Sequence, residues 1–185
     1  IIFEENVEKL TRYAAVFHSE GSDPVGPIRS GRFQDINLVG SLNKPLFVWS
    51  GGNEKVSAAI KDSDLVDLSY TVANKDGGFA RDSDRSAPHN LIAETTKLWT
   101  LAPEGSSGPQ QQFAYRSASD ANASTSKDVA GVKVSMDGVK VQWDWDKTTK
   151  EFLRIQDGTA VVDPDDVQLA VPNVVVLEVE YSNNY

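Results

Sequence analysis

Apolar and polar residues alternate at both ends of the chain, and this pattern predicts β-strands. At the start, residues 1–8 and 10–19 are rich in aromatic and β-branched side chains, which is typical of strands. In the last third, residues 132–146 alternate strictly around Asp137-Gly138, a dipeptide that favours a two-residue hairpin turn. Three further apolar runs follow, at residues 151–158, 160–163 and 174–181. This part of the chain is therefore expected to be antiparallel β.

Between these ends, the spacing of apolar residues changes to that of short helices. In residues 32–43, an apolar residue recurs every three positions and marks one face of a helix. Residues 45–50 are almost all apolar, which is the pattern of a strand covered on both faces. Asn53 then stands at a favourable N-cap position, so a second helix is predicted over residues 54–62.

Residues 62–90 contain few apolar side chains and are predicted to form a long loop, with a short strand at residues 69–73. Long loops inside compact domains often carry function. Residues 91–103 then predict the end of a strand and a short helix, for which Thr95 is the expected cap.

Composition divides the chain after residue 103. Residues 104–128 are dominated by Ser, Gly, Ala, Gln and Pro and predict a flexible connection, apart from a short strand at residues 113–116. We therefore predict an α+β fold. A mixed β-sheet with two or three short helices occupies residues 1–103, and an antiparallel β part at residues 129–185 packs against it.

The charge of the chain argues against two classes of partner. The formal net charge is −9 and the pI is near 4.7, whereas proteins that bind nucleic acids present clustered Lys and Arg. An anionic membrane surface is disfavoured for the same reason. No apolar run reaches the roughly 18 residues needed to span a bilayer. The absence of cysteine removes disulfides, thiolate nucleophiles and zinc–thiolate sites.

Arginine is concentrated in two loop-like segments of this acidic chain. Segments 26–35 and 80–91 hold four of its seven arginines, namely Arg29, Arg32, Arg81 and Arg85. The planar guanidinium group suits bidentate contact with carboxylate or phosphate, so two such loops that converge would form an anion pocket. Alternatively, Arg29 and Arg32 connect the loops by pairing with a nearby carboxylate from the set Asp35, Asp82 and Asp84.

His89 is the residue in these segments best suited to proton transfer. An imidazole held between two loops can act as a general acid or base near neutral pH, or it can donate one structural hydrogen bond to a carbonyl group. If His89 is catalytic, its expected partner is Asp82 or Glu5, in a hydrolase that acts on a phosphoester or a glycan. His18, at the end of a predicted strand, is a weaker candidate.

No metal and no cofactor are expected. The two histidines lack HxH and HExxH spacing, and the acidic stretches lack the DxDxDG spacing of a calcium loop. No GxSxG sequence marks a serine nucleophile.

Trp143 and Trp145 are two residues apart in a predicted strand, so both are expected on the same face of the sheet. An exposed pair would stack on sugar rings or form a patch that binds another envelope protein. The interpretation favoured here is that this face packs on the first part of the chain.

Five motifs follow one another along the chain, namely GPIRSGRFQD (26–35), VWSGG (48–52), ARDSDRSAPHNL (80–91), FLRIQDG (152–158) and NVVVLEVEY (173–181). In this order they resemble the motifs of the YerB-like lipoproteins of Gram-positive bacteria. The resemblance covers nearly the whole chain and implies two consecutive family domains in an extracytoplasmic protein. It also implies a lipid anchor attached upstream of Ile1, as the sole contact with the membrane. It implies no reaction, because the biochemical function of the family is not established.

The family patterns fall on the two arginine-rich segments. The GP-[IV]-RS-x-R pattern matches Gly26, Pro27, Ile28, Arg29, Ser30 and Arg32. The RDSxRxAPHNL pattern matches Arg81, Asp82, Ser83, Arg85, Ala87, Pro88, His89, Asn90 and Leu91.

The working hypothesis is a cell-envelope domain that binds an anionic ligand, such as a wall-glycan or phosphate-containing fragment, between the two segments. The residues expected to bind it are Arg29, Ser30, Arg32, Arg81, Arg85 and Asn90, with His89 helping to orient it. A hydrolase that uses His89, Asp82 and Glu5 is one alternative, and a scaffold for another envelope protein is the other.

Overall fold

The computed structural model describes residues 1–7, 9–115, 117, 119–120 and 127–180. The described residues form several small sheets and a few short helices, so the α+β prediction is confirmed. They divide into two compact units, the first made of Ile1–Phe3 and Ala14–Arg116, and the second of Glu4–Tyr13 and Ser117–Tyr185. None of the helices in this part of the chain has the length and apolar character needed to cross a membrane.

The chain begins with a hairpin whose strands are β1 (Ile2–Val7) and β2 (Leu10–Ala15), as predicted. The first unit then contains two small sheets. In one, β3 (Leu46–Trp49) pairs in parallel with β4 (Val66–Ser69). In the other, β5 (Phe79–Arg81) pairs antiparallel with β6 (Leu91–Ala93).

Four α-helices are described in the first unit, and a single-turn 3-10 helix continues two of them. The helices are α1 (Phe33–Val39), α2 (Glu54–Lys61), α3 (Tyr70–Ala73) and α4 (Thr95–Trp99). The 3-10 turns are Gly40–Leu42 after α1 and Asn74–Asp76 after α3. The predicted cap of α2 is confirmed, because Asn53 Oδ1 accepts a hydrogen bond from Val56 N at 2.9 Å.

The core of the first unit forms around the two small sheets. One buried cluster consists of Leu68, Ala73, Phe79, Leu91, Ala93 and Leu98, and it joins β4, β5, β6 and α4. A second contains Val39, Leu42 and Leu65, and a third contains Trp49, Val56 and Ile60. The apolar spacing of residues 32–43 therefore marked a real buried face, which holds the end of the first arginine segment in place.

The prediction of one long loop over residues 62–90 is wrong. This stretch contains β4, α3, a 3-10 turn and β5, and residues 70–73 are helical rather than extended. The ladder of β4 is formed with β3, about twenty residues earlier, so local apolar spacing gave no sign of it. Thr95 is the first helical residue of α4 rather than its cap, which is Glu94.

The second unit combines the tip of the N-terminal hairpin with an antiparallel sheet. Its strands are β7 (Gly131–Met136), β8 (Val139–Asp146), β9 (Glu151–Gln156), β10 (Thr159–Ala160) and β11 (Ala170–Val171). The strand order is β10-β9-β8-β7, with β11 also paired to β9. Asp137 and Gly138 both have positive φ, at 48° and 85°, as the predicted two-residue turn requires.

Two predicted strands are not formed. Residues 113–115 are irregular, and Arg116 lies outside the described residues. Residues 173–180 are also without strand pairing, although five of them are Val or Leu, and Tyr181 is not described. A sequence with high β-propensity becomes a strand only when a neighbouring strand supplies the ladder. The predicted strand at 160–163 is likewise shortened to β10 and one bridge between Val162 and Gln168.

Candidate functional site

The first arginine segment is fixed by backbone hydrogen bonds on both of its sides. Residues 25–31 lie between β6 and the turn that follows β3. On one side, Ile28 N donates to Leu91 O at 2.7 Å, and on the other, Ser50 N donates to Arg29 O at 3.0 Å. The backbone that carries the Arg29 side chain is therefore held between β6 and the turn that follows β3.

Two glycines in this segment allow the close approach. A Cβ atom on Gly26 would lie 2.9 Å from Ile92 Cγ2, and one on Gly31 would lie 2.8 Å from Trp49 Cε3. Both distances are below ordinary van der Waals contact, so a side chain would push the segment away from its neighbours. The glycines of GPIRSGR are thus explained by packing.

The base of the segment is attached to α4 through Asp23. Its carboxylate accepts hydrogen bonds from the hydroxyl groups of Thr96 and Thr95. The hydrogen bond from Thr96, followed by that from Thr95, lowers the pKa of Asp23 below its ordinary value. The carboxylate acts here as a structural anchor.

The two arginine segments meet at Arg29. Its Nη1 donates a hydrogen bond to the carbonyl oxygen of Pro88 at 2.9 Å and lies 3.4 Å from His89 Nδ1. Arg29 is half-buried, whereas His89 is exposed to solvent. The guanidinium group is therefore oriented by a backbone carbonyl of the second segment and lies beside the His89 ring.

Arg81 is oriented by the residue next to His89. Its Nη1 donates to Asn90 Oδ1 at 2.8 Å, and its guanidinium carbon lies 5.7 Å from the centre of the Tyr70 ring. Asn90 is itself fixed, because its carbonyl oxygen accepts a hydrogen bond from Asp82 N at 2.8 Å. Arg29 and Arg81 thus contact consecutive residues of one turn.

Neither Arg29 nor Arg81 is paired with a carboxylate among the described residues. Arg85 differs, because its Nε lies 3.3 Å from Asp82 Oδ2 on the surface. The positive charge of Arg85 is therefore balanced locally, whereas no described carboxylate balances the charges of Arg29 and Arg81.

The other two predicted binding residues lie beside Arg29. The backbone N–H of Arg32 donates to Asp35 Oδ2 at 2.7 Å, and its Nη1 donates to Gly31 O at 3.0 Å. Arg32 occupies the cap position of α1. Ser30 is half-buried between Arg29 and Gly31. Arg32 thus shapes the start of a helix close to the site.

The residues predicted to assist His89 are engaged elsewhere. Asp82 contacts Arg85 and accepts a hydrogen bond from Asp84 N at 2.9 Å. Glu5 is buried in the second unit. In the described part of the chain, the one polar contact of the His89 ring is with Arg29, so the geometry gives no support for an acid–base pair.

Sequence reasoning missed Tyr70, which lies under Arg81, because residues 69–73 were expected to be extended. No local signal identifies such a cation–π contact.

The two tryptophans do lie on the same face of β8, where Trp143 is paired with Arg154 and Trp145 with Phe152. Among the described residues, no three His, Asp or Glu side chains gather closely enough to hold a metal ion.

Two family models match the chain. Residues 1–108 match the N-terminal domain and residues 132–185 match the C-terminal domain of a protein of unknown function, DUF3048. No protein of curated function is significantly similar. The chain is also similar to a crystal structure of the YerB protein from Bacillus subtilis, with a TM-score of 0.69 and 19% sequence identity. The matched region covers 91% of this chain but 58% of that one, and at this identity the similarity shows the fold alone.

Proposed function

Because the chain belongs to the DUF3048 family of proteins of unknown function, we propose its activity from the site itself: the two arginine segments bind a small anionic ligand that carries phosphate or carboxylate. One observation carries the proposal. Arg29 and Arg81 are held against one turn by neutral oxygen acceptors, and neither guanidinium group is paired with a carboxylate among the described residues.

The donor geometry of these two side chains supports the same proposal. A guanidinium group has five N–H donors, and both Arg29 and Arg81 use only Nη1 in hydrogen bonds among the described residues. The remaining donors suit bidentate contact with a carboxylate or a phosphate group. Fixing both arginines before the ligand arrives also reduces the entropy lost on binding.

We propose that the protein acts outside the cytoplasm and that its ligand comes from the cell envelope. The resemblance of the five ordered motifs to YerB-like lipoproteins supports both points. A phosphorylated sugar or a peptidoglycan fragment with a free carboxylate would present the required charge.

The test is isothermal titration of the purified chain with inorganic phosphate, a sugar phosphate and a carboxylate-bearing peptidoglycan fragment. Arg29→Ala and Arg81→Ala are each expected to weaken binding about tenfold, as loss of one charge-assisted contact does. Lys97→Gln is the matched control, because Lys97 is an exposed cation of the same unit that is already paired with Glu94 at 2.7 Å.

Three results decide the question. Binding that both arginine variants weaken and Lys97→Gln leaves intact supports the proposal. Binding that all three variants weaken equally indicates general charge attraction and contradicts it. If no probe binds at low ionic strength, the segments serve the fold rather than a ligand.

A further inference from the structure

The second unit contains a charged side chain that is completely buried. Arg154 is 0% exposed and stands in the middle of β9. Its Nη1 donates to the carbonyl oxygen of Ile155 at 2.8 Å, and its Nη2 donates to Gln156 Oε1 at 3.0 Å. A buried cation is costly unless an anion accompanies it, so the identity of that anion determines whether this sheet is stable.

The anion comes from the other end of the chain. Glu4, in β1, binds the guanidinium group through both carboxylate oxygens, with Arg154 Nε at 3.2 Å from Oε2 and Nη2 bonded to Oε1. The guanidinium carbon also lies 5.6 Å from the centre of the Trp143 ring. Glu4 and Arg154 are 150 positions apart in the sequence.

Two further contacts join the same hairpin to the same sheet. Thr11 Oγ1 donates to Gln156 Oε1 at 3.1 Å. At the hairpin turn, Lys9 N donates to Asp137 Oδ2 at 2.7 Å. The hairpin thus contacts both the centre of β9 and the turn between β7 and β8, which are separate parts of the sheet.

We infer that the face of the C-terminal sheet that carries Arg154 is a binding surface for a β-hairpin that supplies a carboxylate, and that residues 4–7 and 9–13 of the same chain occupy it. The family models place these residues in the N-terminal domain, and the C-terminal match begins only at residue 132. The C-terminal family domain is therefore incomplete by itself, because its buried cation is neutralised by Glu4.

Hydrogen exchange of the full chain, followed by mass spectrometry, tests this inference. Glu4→Gln removes the charge but keeps the shape of the side chain, and it is expected to speed exchange in β8 and β9 about tenfold or more. Exchange in β6 and α4 of the first unit is expected to stay unchanged. Glu94→Gln is the matched control, since Glu94 forms an exposed pair with Lys97 in the first unit.

A double variant separates pairing from general damage. Glu4→Leu with Arg154→Met removes both charges, and it is expected to exchange more slowly in β9 than Arg154→Met or Glu4→Leu alone. Thr11→Val is a milder probe that removes one neutral hydrogen bond, and it is expected to speed exchange in β9 about twofold to tenfold.

The inference is overturned if Glu4→Gln and Thr11→Val change exchange only in the first unit, or if the double variant shows no recovery. Size-exclusion chromatography gives a second check. A chain that is a stable dimer, with the protection of the sheet against hydrogen exchange lost on dilution, would show that the hairpin comes from a second copy rather than from the same chain.

Discussion

Arg154 in the second unit and Arg81 in the first have the same side chain but different partners. Arg154 is buried, bound by the carboxylate of Glu4 and satisfied by further protein acceptors. Arg81 is exposed, is bound by the neutral oxygen of Asn90, and has donors that no described residue uses. The arrangement around Arg154 stabilises a sheet, whereas the arrangement around Arg81 leaves a positive charge exposed to solvent.

This difference gives a criterion for interpreting arginines in an acidic chain. The charge of an arginine that contacts a carboxylate is balanced within the fold. Glu4 balances the buried Arg154 in this way, and Asp82 partly balances the exposed Arg85. Arg29 and Arg81 are positioned by carbonyl, amide and aromatic groups, and neither is paired with a carboxylate among the described residues. Local enrichment of arginine does not distinguish the two kinds, but the partner does.

The largest expected effect is on the buried arginine. Arg154→Met leaves the carboxylate of Glu4 buried without its cation, and we expect a loss of about 3–5 kcal/mol in the free energy of unfolding of the second unit. Urea denaturation measures it. Arg81→Met, at an exposed position, is expected to cost less than about 1 kcal/mol. Similar losses for the two variants would remove the distinction between these arginines.

The next effect concerns the two arginines that retain their charge. We expect the double variant Arg29→Ala with Arg81→Ala to bind a sugar phosphate about a hundredfold more weakly than the parent, because two charge-assisted contacts are lost. Isothermal titration at fixed ionic strength measures it. If one single variant binds as tightly as the parent and the double variant is no weaker than the other single variant, only one of the two side chains binds this anion.

A smaller effect should appear when Arg85 is released. Asp82→Asn removes the carboxylate that faces Arg85, and we expect the affinity for the same sugar phosphate to rise about twofold to fivefold, as for a surface ion pair. Arg85→Gln, in which the cation is removed instead, is expected to lower affinity by a similar or smaller factor. An unchanged affinity in both variants would place Arg85 outside the site.

The smallest effect is a pH dependence in the hairpin cluster. Partial burial, and then the nearby charge of Glu4, raise the pKa of Tyr13 above its ordinary value of 10.0. The folded chain therefore holds this proton to higher pH than the unfolded chain. The resulting contribution to stability is complete below about pH 10 and is lost as the pH rises through the folded-state pKa.

Thermal denaturation between about pH 9 and 11 tests this dependence, because Tyr13→Phe removes the titrating group. The parent should lose more of its Tm across this interval than Tyr13→Phe does. Tyr115→Phe is the control, as Tyr115 is 75% exposed in the first unit. If the parent and Tyr13→Phe have equal slopes, Tyr13 makes no such contribution.

Much of the fold was predictable because its signals are local. The three-residue apolar spacing of α1, the Asn53 cap and the Asp137-Gly138 turn each act within a few residues, and each was confirmed. The pairing of β4 with β3 was not predictable from spacing, because it depends on a partner strand about twenty residues away.

The segments of the candidate site could be selected from the sequence to a similar extent. Composition selected the two segments that Arg29 brings together, and it selected His89 and Asn90. Composition gave no indication that Arg85 is neutralised by Asp82 or that Tyr70 supports Arg81. The role of Arg154 was also missed, although an arginine on the same face as Trp143 in neighbouring strands is a signal that alternation could have supplied.

The irregular segment at residues 173–180 has a consequence for the behaviour of the protein in concentrated solution. Val175, Val176, Leu177 and Val179 are 56–67% exposed and lack ladder partners. Such a run can pair edge to edge with the same run of another molecule, and repeated pairing of this kind produces cross-β aggregates. Glu178 and Glu180 place negative charges within the run, and repulsion between these charges on neighbouring molecules opposes such pairing.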